Sequence, residues 1–244
     1  MANFTFENSM KILQSLCLAI LPLVLISFGE FTADAQSVFS PAGLTTGDQY
    51  RLVFVTDGIR DGASVDILDY NRFVTSEANR AGSLIGGISI NWTAIASTPT
   101  VDAILNTNTD PSPLGDTGVP LYLVDGVTRF ADHYDEIWPR VGAFSSLVPL
   151  DINQFGQGVG DQTPWTGTDS NGVALSDGLG GLVSGIGSTR FNWIANGGLL
   201  SAEQHPFYGI SPVLTVPEPG GSALILLAGF SLLARRRDQT LSVR

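Results

Sequence analysis

Gln49-Tyr50-Arg51-Leu52-Val53-Phe54-Val55-Thr56 alternates, carries β-branched and aromatic side chains, and runs into the turn pair Asp57-Gly58. It reads as a strand. The period then changes. In Ser64–Ala81 the apolar residues Ile67, Leu68, Tyr70, Phe73, Val74, Ala78 and Ala81 recur at helical spacing. Ser64 or Asp66 is available as N-cap and Gly82 as the C-terminal stop, so this stretch predicts the best helix of the chain. A strand, one substantial helix and then many short β-like runs predict the α+β class.

Working outward from that pair, Thr98–Leu105 predicts a short helical turn after Pro99. Val119–Val124, Asp125-Gly126 and Val127–Phe130 read as a hairpin, because Asp-Gly tolerates positive φ. Trp165–Leu175 reads as a strand, a polar turn at Asp169–Gly172 and a return strand. Gly178–Gly187 holds five glycines in ten positions and needs either positive φ or close backbone approach. Pro206–Val216 predicts a closing strand. The single domain so outlined runs over residues 36–216.

The two ends have a different character. Lys11 is followed by the apolar stretch Ile12–Phe28 and then by the small-x-small site Ala33-Asp34-Ala35. These three parts make a signal peptide, residues 1–35, with cleavage expected after Ala35 by signal peptidase. Residues 1–9 hold one acid and no base, which leaves Met10 as an alternative start. At the other end Val216-Pro217-Glu218-Pro219 precedes twelve mostly apolar residues, Ala223–Ala234, and then Arg235, Arg236 and Arg237. Twelve helical residues span about 18 Å, well short of the roughly 30 Å hydrocarbon core. Such a helix is a marginal transmembrane anchor, suited to holding the chain while it is cut.

Pro-Glu-Pro, a short apolar helix and an arginine cluster resemble the PEP-CTERM sorting tail of exported bacterial proteins, here residues 217–244. The resemblance implies recognition by an exosortase near Val216–Pro219, with Arg235–Arg237 as the stop. It further implies a product at the cell surface or in the extracellular matrix, membrane-held before processing. Unlike the usual tail, this one continues for seven residues past the arginines. The central domain resembles the C-type-lectin-like fold through Tyr50–Thr56, Tyr70-Asn-Arg-Phe-Val-Thr75, Trp165-Thr-Gly-Thr168, Asn192-Trp193 and Phe207-Tyr-Gly-Ile-Ser211. Two departures stand against the sugar-binding members: the domain has no paired cysteines, and it lacks the Glu-Pro-Asn and Gln-Pro-Asp of the calcium site. The resemblance implies a binding fold rather than a lectin activity.

Composition narrows the chemistry. The 244 residues carry a net charge of −11, and residues 36–216 alone hold 18 acids against 7 arginines. Phosphate neutralisation needs a basic patch, so nucleic acid is not an expected partner. Cys17, the only cysteine, falls in the signal segment, so the domain can form neither a disulfide nor a thiolate metal site.

Asp132-His133-Tyr134-Asp135-Glu136 is the only concentrated ionisable cluster, and an imidazole beside carboxylates is what acid–base catalysis uses. Contiguous charge is more often a solvated turn. No Gly-x-Ser-x-Gly elbow surrounds Ser184, and the Gly-rich segment has no phosphate-loop lysine. No catalytic residue is therefore assigned, and the chain is not expected to be an enzyme. No cofactor is required; calcium is the candidate, with Asp161, Asp169, Asn171 and Asp177 in one polar stretch. Read as an EF-hand this stretch fails, since Gly167 and Gly178 fall at positions one and twelve, and the competing reading is a polar turn. Of the four tryptophans, Trp165 and Trp193 are expected in the core, while Trp92 and Trp138, beside polar residues, are the candidate ligand surface.

These observations predict an exported, exosortase-processed protein whose domain binds or scaffolds extracellular material, with polysaccharide as the expected partner. Two other readings remain open: a secreted hydrolase using the Asp132–Glu136 cluster, and a purely structural matrix component.

Overall fold

The computed structural model describes residues 39–111, 118–138, 146–176, 178–190 and 192–218. The chain is α+β, with more strand than helix. In chain order it runs β1 (Gln49–Val55), α1 (Ile67–Ala78), β2 (Thr93–Ala94), α2 (Ala103–Asn106), β3 (Leu121–Leu123), β4 (Arg129–Ala131) and α3 (Tyr134–Ile137). It continues with β5 (Val183–Ile186), β6 (Gly197–Leu200), β7 (Tyr208–Ile210) and β8 (Leu214–Thr215).

β1 is the axis of the main sheet, whose order is β2-β7-β1-β3-β4 with β8 also paired to β1. It runs parallel to β3, Leu52 opposite Tyr122, and antiparallel to β7, Phe54 opposite Gly209. Every residue of β1 after Gln49 is buried, because both faces of the sheet are covered. Alternation then divides its side chains between two cores. Tyr50, Leu52 and Phe54 face the core shared with α1, where Tyr70 stacks on Phe207 at 5.0 Å and Phe54 meets Trp92 edge-on at 5.2 Å. Val53 and Val55 face the second core, where Trp193 packs edge-on against Phe130 at 5.4 Å and Tyr208 at 5.6 Å. A fully buried side chain such as Phe54 contributes about 1.5–3 kcal/mol.

Arg51 shares the second face and is buried. Its Nε donates to the Ser211 carbonyl at 2.7 Å, and its guanidinium lies 5.7 Å from the centre of the Tyr134 ring. Burial pulls its pKa down, and neighbouring Tyr134 opposes the shift.

α1 is shorter at each end than its apolar pattern predicts. Asp66, not Ser64, is the N-cap, with its carboxylate accepting from the Leu68 N–H at 3.0 Å. Asn79 is the C-cap, and Gly82 sits three residues on at φ +87°. Ile67, Tyr70, Val74 and Ala78 form the buried stripe. At its C-terminal end Glu77 Oε2 accepts from the Gly58 N–H at 2.8 Å, Gln154 Nε2 at 2.9 Å and Arg80 at 2.9 Å. That one carboxylate ties the turn after β1, the helix and the 154 loop together.

The short helix expected over Thr98–Leu105 lies later, at Ala103–Asn106, because Thr98 and Val101 close a turn on themselves first. The expected hairpin forms as β3 and β4, its turn closed by Asp125 Oδ1 accepting from Val127 and Thr128 N–H groups at 3.0 and 2.9 Å. Gly126 adopts φ +76° there, as an Asp-Gly turn requires.

The turn at Asp169–Gly172 also forms, but its flanks are single bridges rather than regular strands. Trp165 bridges to Ile186 and Phe207, while Thr168 bridges to Ala174, so no one partner runs alongside the segment. The closing strand splits in two, β7 and β8. Pro212 has no N–H to offer a ladder, and just before it the Leu52 N–H donates to the Ser211 hydroxyl at 2.9 Å. β2, β5, β6 and α3 are elements that sequence pattern did not predict.

Candidate functional site

The outer face of α1 borders an open groove of about 480 Å³. Its helical wall is Leu68, Asn71, Arg72, Thr75, Ser76 and Asn79. Offsets of three and four place these six on one face. Small polar side chains on that stripe leave space that longer ones would fill. The opposite wall is the segment Asn91–Trp92, and Ser89 and Ile90 adjoin it.

Thr75 joins the two walls. Its hydroxyl donates to the Trp92 carbonyl at 3.0 Å and accepts the Trp92 N–H at 2.9 Å. Asn71 forms a reciprocal amide pair with Asn106, at 3.0 and 3.1 Å. That pair satisfies both backbone groups of Ala94 in β2: Asn71 Oδ1 accepts its N–H at 2.8 Å and Asn106 Nδ2 donates to its carbonyl at 2.8 Å. The floor beneath the groove is therefore set by bonds already made. Asn79 donates to the Thr75 carbonyl at 2.8 Å. By contrast, the side chains of Ser76, Ser89 and Asn91 are exposed and make no hydrogen bond among the described residues.

Among the described residues no carboxylate lines the groove, although the chain as a whole is strongly acidic. Its one charged lining residue, Arg72, is ion-paired with Asp69 and lies 3.7 Å from Asp66 Oδ2. Hydrogen bonds from Ser64 and Arg72 hold the Asp69 carboxyl below its usual range. The groove thus offers mainly neutral donors and acceptors beside the apolar Leu68 side chain.

The residues predicted from sequence fall elsewhere, with one exception. Trp92 and Trp138 are not a ligand surface: each is 1% exposed. With one substantial helix available to cover a sheet, large indoles are needed to fill both cores. Trp92 packs in the α1 core and reaches the groove only as part of its wall, its indole N–H buried without a hydrogen-bond partner among the described residues. Trp138 packs in the second core, its Nε1 donating to Thr109 Oγ1 at 2.7 Å. Trp165 and Trp193 are in the core, as expected.

Asp161 accepts from Ser188 Oγ at 2.9 Å. Asp169 Oδ1 accepts from the Asn171 N–H at 2.8 Å and its Oδ2 from Asn171 Nδ2 at 3.1 Å, so both residues hold their own turn. Asp177 lies outside the described residues. Among the described residues, no three His, Cys, Asp or Glu side chains converge.

In the Asp132–Glu136 cluster, Asp132 pairs with Arg129 Nε at 2.7 Å and Glu136 Oε2 accepts the Asp132 N–H at 2.5 Å. His133 is the exposed N-cap of α3. The carboxylates thus build a capped turn. His205 is held by Thr163 Oγ1 at 2.9 Å from Nδ1, edge-on to Trp165.

At the domain's end, the Val216 N–H donates to the Asp48 carbonyl at 2.9 Å and its carbonyl accepts from Gly47 at 3.0 Å. Pro217 and Glu218, immediately after, are exposed. Pro219, Arg235, Arg236, Arg237, Ala33 and Ala35 lie outside the described residues, as do the signal segment and the apolar part of the tail. Among the described residues no helix is long and apolar enough to cross a membrane.

The polar part of the stripe, Asn71–Asn79, is the complement of the apolar pattern, whereas Leu68, counted in that pattern, is exposed and lines the groove instead. What the sequence withheld was the partner wall at Asn91–Trp92. The chain matches no protein-family model and no curated protein.

Proposed function

We propose that this chain is an exported surface or extracellular-matrix protein, cut from its tail by an exosortase, whose domain engages extracellular polysaccharide. The observation that carries the reading is the order of the C-terminal sequence: Pro217-Glu-Pro219, a short apolar run and Arg235–Arg237, opposite an N-terminal signal segment. The exposed Pro217 and Glu218, directly after a hydrogen-bonded Val216, support it, because a processing enzyme needs an accessible strand of chain.

The domain is a variant of the C-type-lectin-like fold in this reading. Its support is that the segments carrying the resemblance meet one another: β1 pairs with β7, Trp165 bridges to Phe207, Tyr70 stacks on Phe207 and Trp193 packs on Tyr208. The role is binding rather than catalysis, since the open hydrogen-bonding groups of the groove are neutral amides and hydroxyls.

Intact mass and fractionation of the native product test the reading. The expected product begins at Gln36, ends near the Pro217–Pro219 motif and is recovered from the surface or matrix fraction. A full-length product in the cytosol overturns it.

A further inference from the structure

We infer that the groove between α1 and Asn91–Trp92 is the glycan subsite, and that it takes a neutral oligosaccharide rather than an acidic one. The inference rests on the polysaccharide reading above and adds the place and the charge of the ligand. Three observations carry it.

First, the groove has the composition a pyranose chain needs. Leu68 is an exposed apolar residue of its helical wall, and Ser76, Ser89 and Asn91 present hydroxyl and amide groups that make no hydrogen bond among the described residues. Their hydrogen-bonding capacity is available to sugar hydroxyls. Second, the walls are preorganised. Thr75 clamps the Trp92 backbone from both sides, and the Asn71–Asn106 pair locks the floor, so the site does not have to be ordered on binding. From Leu68 to Asn79 the helical wall is about 16 Å long, which suits a short run of sugar rings better than one. Its volume of about 480 Å³ falls within the usual range for ligand sites.

Third, the charge decides between glycan classes. An acidic domain disfavours an anion at a site whose cation is already paired, and Arg72 is ion-paired with Asp69 and lies 3.7 Å from Asp66. A uronate would meet a net-negative surround at the end of the groove where Arg72 sits. A neutral chain meets no such cost, and the absence of carboxylates from the lining spares its hydroxyls a purely accepting surface.

The test is calorimetric titration of the full chain, purified in detergent, with three probes: cellohexaose and mannohexaose as neutral chains, and a galacturonate hexamer as the acidic one. At least one neutral hexasaccharide is expected to bind and the uronate to fail. Replacing both Ser76 and Asn91 by Ala removes two exposed partners and is expected to weaken binding about tenfold or more. Ser76→Trp, which fills the groove from an exposed helix position, is expected to abolish it. Val127→Ser, in the β3–β4 turn, serves as the control and is expected to bind normally.

Neutral-glycan binding unchanged in both groove variants overturns the inference while leaving the polysaccharide reading standing. Binding of the uronate alone, lost in Arg72→Gln, also overturns it. Failure of every probe removes both the subsite and the polysaccharide partner, whereas export is decided separately by the product's mass. Should Ser76→Trp fail to fold, the double alanine variant carries the decision.

Discussion

Gly58 is a residue at which backbone and side-chain chemistry meet closely. Its N–H donates to Glu77 Oε2, and a Cβ built on it would lie 2.5 Å from Glu77 Oε1. The carboxylate cannot retreat without loosening Gln154 and Arg80, which donate to the same oxygen. Gly58→Ala is therefore expected to destabilise the domain by roughly 1–3 kcal/mol, the usual cost of overpacking a filled site. Urea unfolding measures it; a midpoint equal to that of the parent protein would show that Glu77 moves aside freely.

At the scale of elements, α1 serves two masters. Its buried stripe completes one core, and its polar stripe forms one wall of the groove. The helix begins where Asp66 accepts the Leu68 N–H, just ahead of the Leu68 that opens the groove. Removing that cap by Asp66→Ala is expected to cost about 1 kcal/mol of stability, read as a lower denaturation midpoint. The variant also takes one of the two carboxylates from Arg72 and leaves Asp69 in place.

At the scale of the whole molecule, buried phenols set an alkaline limit. Burial raises the pKa of Tyr70, and it raises that of Tyr208 well above its usual value, with Asp161 and Asp151 adding to the effect. Among the described residues the Tyr208 hydroxyl has no hydrogen-bond partner to stabilise its anion. Because the folded state binds these protons more tightly than the unfolded chain does, the stability they supply is full below pH ~10, the unfolded value. It is then lost as pH rises from there through the higher folded values. Stability is expected to fall above pH ~10, with phenolate absorbance from Tyr70 and Tyr208 appearing together with unfolding. Phenolate formation in a still-folded protein would contradict the burial argument.

How much of this was legible in the sequence depended on whether local pattern or distant contact decided each feature. β1, α1, the Asp125-Gly126 hairpin and the turn at Asp169 were readable because periodicity, caps and turn residues act within a few positions. Local pattern also carries the readings of residues 1–35 as a signal segment and of the Pro-Glu-Pro tail as a sorting signal, on which the proposed function rests, and composition carries the acidic balance that argues against nucleic acid. It could not place Trp92 and Trp138: polar sequence neighbours suggested a surface, but burial is decided by which faces of the sheet need filling. Nor could it split Pro206–Val216 or pair β5 with β6, since strand partners are chosen across the fold. The groove lay half in each domain of knowledge. Its helical wall follows from a spacing of three and four, whereas its other wall exists only because Thr75 meets Trp92 across a gap of 17 residues in the chain.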